Sequence, residues 1–284
     1  MRAVTGKKEP DANADALIWH ADVRRMLLTQ KAIAEGGRAM IYAAAQTADL
    51  MVDAARRQDR ATQDKHDDTL GFYTPILKGF LTEMGLEAAN LGMQVFGGHG
   101  YIHEHGMEQI ARDARIATLY EGTTGIQALD LLGRKVLLGT RGKCVRDFSR
   151  IMLRSAKAHW LAHGPIGRMA RSTAKRAIEW NLLTLRIMRR VGKDRDLVGS
   201  ASVDYLMYSG YVMMAHFWAR QAAVAQTFLR NGKGAESAEF YRAKIQTAAF
   251  YFDRLLPRAD AEVTLGEWTL RAGDPVVVDF WAPW

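Results

Sequence analysis

Glu121 is the residue whose neighbours best equip it for chemistry. It stands in Tyr120-Glu121-Gly122-Thr123-Thr124, immediately ahead of a helix start. Thr124, with Gln127 three positions on, has the form of a capping box, so the backbone N–H groups around Thr123 to Ile126 should point outward and attract anions or polarised oxygens. A carboxylate beside exposed amides can remove a proton and stabilise the negative charge that results. Flanked by Leu119 and the Tyr120 ring, Glu121 is expected in partly apolar surroundings, which strengthen a base. On residue type alone, a Glu before a helix is more often a cap or a solvated charge. A second turn, Gly97-Gly98-His99-Gly100, breaks an apolar helical run and lets backbone approach a ligand closely, because glycine has no Cβ.

Other residues invite chemistry less. His99, His103 and His105 with Glu104 suggest metal ligation, but they lie in a turn without a strong ligand signature, and no metal site is expected. His159 and His163, four apart beside Trp160, read as surface or packing residues. Gly98-His99-Gly100 follows a helix and lacks the third glycine of a dinucleotide fingerprint. Cys144 is the single cysteine, which excludes an internal disulfide framework and fits a reducing cytoplasm. Arg112, Asp113 and Arg115 read as an ion-pair network positioning the Glu121 loop.

The elements that must position these turns are helical. Of 284 residues, 48% are hydrophobic and 25% charged, an ordinary globular composition. Prolines are few and β-branched alternation is nearly absent, which favours an all-α fold. Residues 1–16 are polar and aperiodic, a loop. Apolar residues recur at three- and four-residue spacing over 21–57, 69–96, 107–119 and 124–138, predicting four helices of an antiparallel bundle. Gln58 to Asp68 reads as a charged connector, and Pro75 as a first-turn proline. Gly36-Gly37 within the first helix implies close helix packing rather than room for a ligand.

Gly139-Thr140-Arg141-Gly142 is the best boundary, giving one unit over 1–138 and a second helical unit over 143–284. The second set covers 145–161, 167–191, 200–231 and 237–256; its stripes, Trp180, Leu183 and Ile187, then Tyr211, Met214, Phe217 and Trp218, read as core. The tail from 261 to 284 reads either as short strands or as a segment lying across the bundle. No apolar run approaches a membrane span, and no membrane partner is expected. The net charge of +8 is spread along helical segments without a nucleic-acid motif, so a solvated basic face is expected and no nucleic-acid partner.

QVFGGHGY followed by ARDARI and YEGTTGIQ resembles the C-terminal domain of the FAD-dependent acyl-CoA dehydrogenases. The resemblance runs from about Ala21 to Lys135. Beyond it the chain resembles the extra helical domain of the larger branch of that family. The resemblance implies FAD as cofactor, an acyl-CoA substrate, an electron-transfer flavoprotein as redox partner, a homo-oligomer and a cytoplasmic location. It places Glu121 at the family's catalytic base, taking the α-proton while hydride leaves the β-carbon, with the Glu121 backbone N–H on the thioester oxygen. Gln94, Val95, Gly97 and Gly98 match the segment contacting the FAD of a neighbouring subunit. Thr123 and Gly125 match the pair approaching the pyrophosphate, although Gly125 stands where the commoner pattern has Glu or Gln. The resemblance further implies that the N-terminal helical and middle β-domains are absent, so a catalytically silent interaction module or one half of a split enzyme is the competing expectation.

Overall fold

A computed structural model describes residues 2–192, 195–232 and 234–265. The fold is all-α, with no strand among the described residues. Among the described residues ten α-helices follow in order: α1 (Ala21–Arg56), α2 (Arg60–Phe96), α3 (Gly98–Tyr101), α4 (Met107–Ile116), α5 (Thr124–Leu129), α6 (Lys143–Lys157), α7 (Gly164–Val191), α8 (Asp196–Asn231), α9 (Ala238–Phe250) and α10 (Arg258–Leu265). Asp130–Gly139 continues α5 as a π-helix, and Tyr251–Leu255 does the same for α9. The polar stretch ahead of α1 is a loop, pinned by the Asp15 carboxylate, which accepts from Ala3 N at 2.7 Å and from Lys8 N and Glu9 N at 2.9 Å.

Several expected boundaries move. The stretch expected as a connector belongs largely to α2, because Asp59 caps its first turn, accepting from Thr62 N at 3.0 Å. Pro75 therefore lies inside the helix, where its missing N–H leaves the Gly71 carbonyl without its usual donor. Helix α2 then ends at Gly97, whose φ of +63° suits glycine. The tail beyond 265 lies outside the described residues, whereas Ala261 belongs to α10.

One contiguous core joins the early and late helices. Helix α8 is its axis, with Tyr205, Leu206, Tyr208, Met214 and Trp218 all buried. It approaches α1 and α2 closely because glycines face large side chains. A Cβ at Gly36 would stand 2.5 Å from Trp218 Nε1, and one at Gly210 would stand 2.1 Å from the Phe80 ring. The close approach lets Trp218 Nε1 donate to the Ala32 carbonyl at 3.1 Å, satisfying a buried N–H. The Gly36 pair thus serves packing, as its position suggested. Helix α10 is clamped by two arginines: Arg258 forks onto Glu87 of α2 at 2.7 and 2.9 Å, and Arg176 of α7 pairs bidentately with Asp260.

Candidate functional site

The Glu121 turn is built by left-handed backbone. Glu121 has φ +51° and Gly122 has φ +95°, a conformation a non-glycine residue adopts only when its surroundings hold it. Two tethers do so. Gln127 Nε2 donates to the Glu121 carbonyl at 3.3 Å. On the other side, Lys78 of α2 donates from Nζ to the Ala117 carbonyl and lies 5.2 Å from the Tyr120 ring centroid, a cation–π contact. Thr118 between them is buried and accepts from Arg115 at 2.7 Å.

The helix start differs by one residue from the expected capping box. Thr123 is the N-cap, its hydroxyl accepting from Ile126 N at 3.4 Å. Thr124 is thereby released to donate to the Glu83 carboxylate on α2. Gln127 turns back to the Glu121 carbonyl because that acceptor is oriented by the strained turn, and the backbone N–H of the cap is left to other partners.

Glu121 itself is exposed, with Leu119 and Tyr120 also exposed at 46% and 52%. The partly apolar surroundings expected around it are not supplied by the described residues, since its apolar neighbours point into solvent alongside it. The network expected to position the turn is also different. Arg112 pairs with Glu108 at 3.2 Å and donates to Gln109 at 2.7 Å, and Gln109 donates to Asp113. These bonds close within α4 because the residues sit three and four apart on one helix face. Only Arg115 reaches toward the turn, through Thr118.

The glycine turn lies at the C-terminal end of α2. Gln94, Gly97 and Gly98 are exposed and Val95 is half-buried. A Cβ built at Gly97 or Gly98 meets nothing within 4 Å, so this backbone is open to approach from outside. Gly100 differs: a Cβ there would stand 2.4 Å from the Met93 carbonyl, so glycine is required by packing. The His99 and His105 rings meet edge to face at 5.3 Å, and His103 Nδ1 lies 3.3 Å from Glu108 Oε1.

The structure brings Gln94 and Thr124 together on one open groove of about 750 Å³, whose walls include Glu83, Glu87, Met207 and Glu262. Thr123 is exposed beside it and Gly125 half-buried. Glu121, Val95, Gly97 and Gly98 do not line that groove. Lys78, Glu83 and Glu262 were not singled out by sequence. Their partners lie tens of residues away, and no local spacing announces such contacts. Burial, with Asp204 nearby, pushes the Glu262 carboxyl up to about 7.

Two models of acyl-CoA dehydrogenase C-terminal regions match nearly the whole chain. "Acyl-CoA dehydrogenase, C-terminal domain" covers residues 3–137, and "Acetyl-CoA dehydrogenase C-terminal like" covers 147–278. The chain belongs to the acyl-CoA dehydrogenase family. Among relatives of this family, 3-methylmercaptopropionyl-CoA dehydrogenase of Ruegeria pomeroyi is 37% identical over 254 residues, covering 88% of this chain and 41% of that protein. The broad-specificity linear acyl-CoA dehydrogenase FadE5 of Mycobacterium tuberculosis is 31% identical over 251 residues, covering 84% of this chain and 39% of that protein. The chain thus spans about two-fifths of the length of these curated relatives. An acyl-CoA dehydrogenase from Bacillus anthracis, solved in complex with FAD, shares the fold at a TM-score of 0.65 and 15% identity, over 88% of this chain and 42% of that one.

Proposed function

We propose that this chain supplies the catalytic base and one rim of the flavin site for α,β-dehydrogenation of an acyl-CoA thioester. The observation that carries the reading is the Glu121 turn: an exposed carboxylate on left-handed backbone, fixed from α2 by Lys78 and from α5 by Gln127. Strain of this kind persists only where surrounding structure imposes it, and it fixes the backbone from which the Glu121 side chain projects.

In this reading Glu121 takes the α-proton onto its carboxylate while hydride leaves the β-carbon, and the C–C bond becomes the double bond of a 2-enoyl-CoA. The Glu121 backbone N–H donates to the thioester oxygen, a contact that strengthens as negative charge develops there. FAD, when bound, supplies the two-electron acceptor. The open backbone at Gly97 and Gly98, with exposed Gln94 and Thr123, fits one edge of a flavin nucleotide; Val95 and Gly125 complete the set by resemblance. The reading carries with it a homo-oligomer in which the Gln94–Gly98 turn meets a neighbouring subunit's cofactor. It also carries an electron-transfer flavoprotein as acceptor, a cytoplasmic location, and a division into units 1–138 and 143–284 that share one core.

The test is retention of FAD by the purified chain, read from visible absorption after desalting, followed by an acyl-CoA series. Retained flavin that bleaches with one member of the series supports the reading; a chain that retains none contradicts a self-sufficient flavin site.

One observation favours a second reading. Tyr101, Ile126, Ile110 and Tyr120 are all more than half exposed around the two turns, a surface that fits a helical interaction module. Concentration-dependent self-association without flavin retention would support that reading instead.

A further inference from the structure

The positive charge of this chain is concentrated. Residues 143–191, the α6–α7 hairpin, hold twelve Lys and Arg against two carboxylates, Asp147 and Glu179. That balance of +10 exceeds the chain's +8, so all other residues together carry −2. Eleven of the twelve cations are exposed; Arg176 alone is buried. Helical phase accounts for this. Val145, Phe148 and Met152 turn one face of α6 into the core, which leaves Arg146, Arg150 and Arg154 outward.

Scattered apolar side chains are ordinary on a solvated surface, whereas here they form a stripe among the cations. Helix α7 exposes Ile178 at 53%, Leu182 at 55% and Leu185 at 41%, spaced four and three along one stripe. Arg171 and Lys175 precede that stripe and Arg189 follows it, also exposed. At the turn joining the two helices, Trp160 is 46% and Leu161 87% exposed.

We propose that the solvent face of the α6–α7 hairpin docks on the surface of a bilayer containing anionic lipid. The cations lie against headgroup phosphates, and the leucines, isoleucine and Trp160 enter the boundary between headgroups and acyl chains. Nucleic-acid phosphates would satisfy the same cations but leave the apolar stripe and Leu161 facing a polar backbone. A protein partner inserting a side chain would find little relief here, because the grooves of about 600, 730 and 750 Å³ among the described residues are lined by other helices, and the gap between α6 and α7 at Ser155, Ile166 and Ala170 is only about 10 Å³. No helix among the described residues is long and apolar enough to cross a membrane, so the attachment is peripheral. The sequence expectation of no membrane partner rested on the lack of a span, and surface docking needs none.

The test floats the purified full chain with vesicles of phosphatidylcholine alone, and with vesicles of equal parts phosphatidylcholine and phosphatidylglycerol. The chain is expected on the anionic vesicles at least about tenfold more than on the neutral ones, and raising salt should release it. Arg171→Glu with Lys175→Glu and Arg189→Glu should abolish flotation. Ile178→Ser with Leu182→Ser and Leu185→Ser keeps the charge and should weaken binding about tenfold. Circular dichroism confirms that each variant is folded, and either variant alone suffices should the other fail to fold. Equal flotation with both vesicle types overturns the proposal, as does an apolar variant that binds like the native chain. Displacement by duplex DNA with the apolar variant unaffected assigns the face to nucleic acid and overturns it equally. So does self-association lost in the apolar variant without any vesicle binding.

Discussion

At the residue scale, the Glu121 turn is held by bonds from two different helices to its backbone carbonyls, Gln127 to Glu121 and Lys78 to Ala117. Lys78 tests this from a distance. Lys78→Met removes the bond to the Ala117 carbonyl while keeping the aliphatic stem, and should cost about 1–2 kcal/mol in chemical denaturation. If the turn is positioned as described, the same change should slow substrate-driven flavin bleaching more than it weakens flavin retention. Equal losses in both would indicate only a general loosening. Glu121 and its glycine were legible in the sequence because the turn is local. Lys78 was not, since its acceptor is 39 residues away and nothing in the pattern of α2 distinguishes it from a solvated lysine. The one-residue error in the cap has a similar origin: both Thr123 and Thr124 satisfy the local pattern, and only the Glu83 carboxylate across the interface decides which hydroxyl caps.

At the element scale, periodicity located the helices and the π-helical continuations did not disturb it. What periodicity missed was the N-terminal extension of α2, where charged residues made a helix look like a connector. The aspartate cap at 59 was the available signal. The glycines at the α1–α8 and α2–α8 crossings carry a sharper prediction. Gly210→Ala places a Cβ where the Phe80 ring already lies and should destabilise the chain by about 3 kcal/mol in thermal or chemical unfolding. Phe80→Leu in the same background should recover part of that loss. No recovery would mean that the crossing is not set by this contact.

At the scale of the whole molecule, one core spans both halves, so acid stability reports on all of it. His216 is buried between the Phe148 and Phe217 rings, and burial, with the Arg220 charge nearby, lowers its pKa to about 4. The unfolded chain binds this proton near 6.5 and the folded chain does not, so stability is complete above 6.5 and falls by about 3 kcal/mol as pH drops toward 4. Glu262, raised to about 7, works in the opposite direction over part of that window. The difference between the native chain and His216→Leu therefore isolates the histidine. The variant should lose less stability between pH 6.5 and 4, and equal losses would remove His216 as the cause. The gathering of cations over 143–191 was countable in the sequence, where helix-period spacing suggested an even spread; the structure added that eleven of the twelve face solvent beside an apolar stripe.

In the proposed function Glu121 is the base. The measurement that tests it most directly is bleaching of bound FAD by an acyl-CoA, compared between the native chain and Glu121→Gln. Both are expected to retain flavin, and bleaching is expected to be lost in the variant, by at least about a hundredfold in rate. A Glu121→Gln chain that retains flavin and bleaches as fast as the native one would contradict it, and would place the base elsewhere.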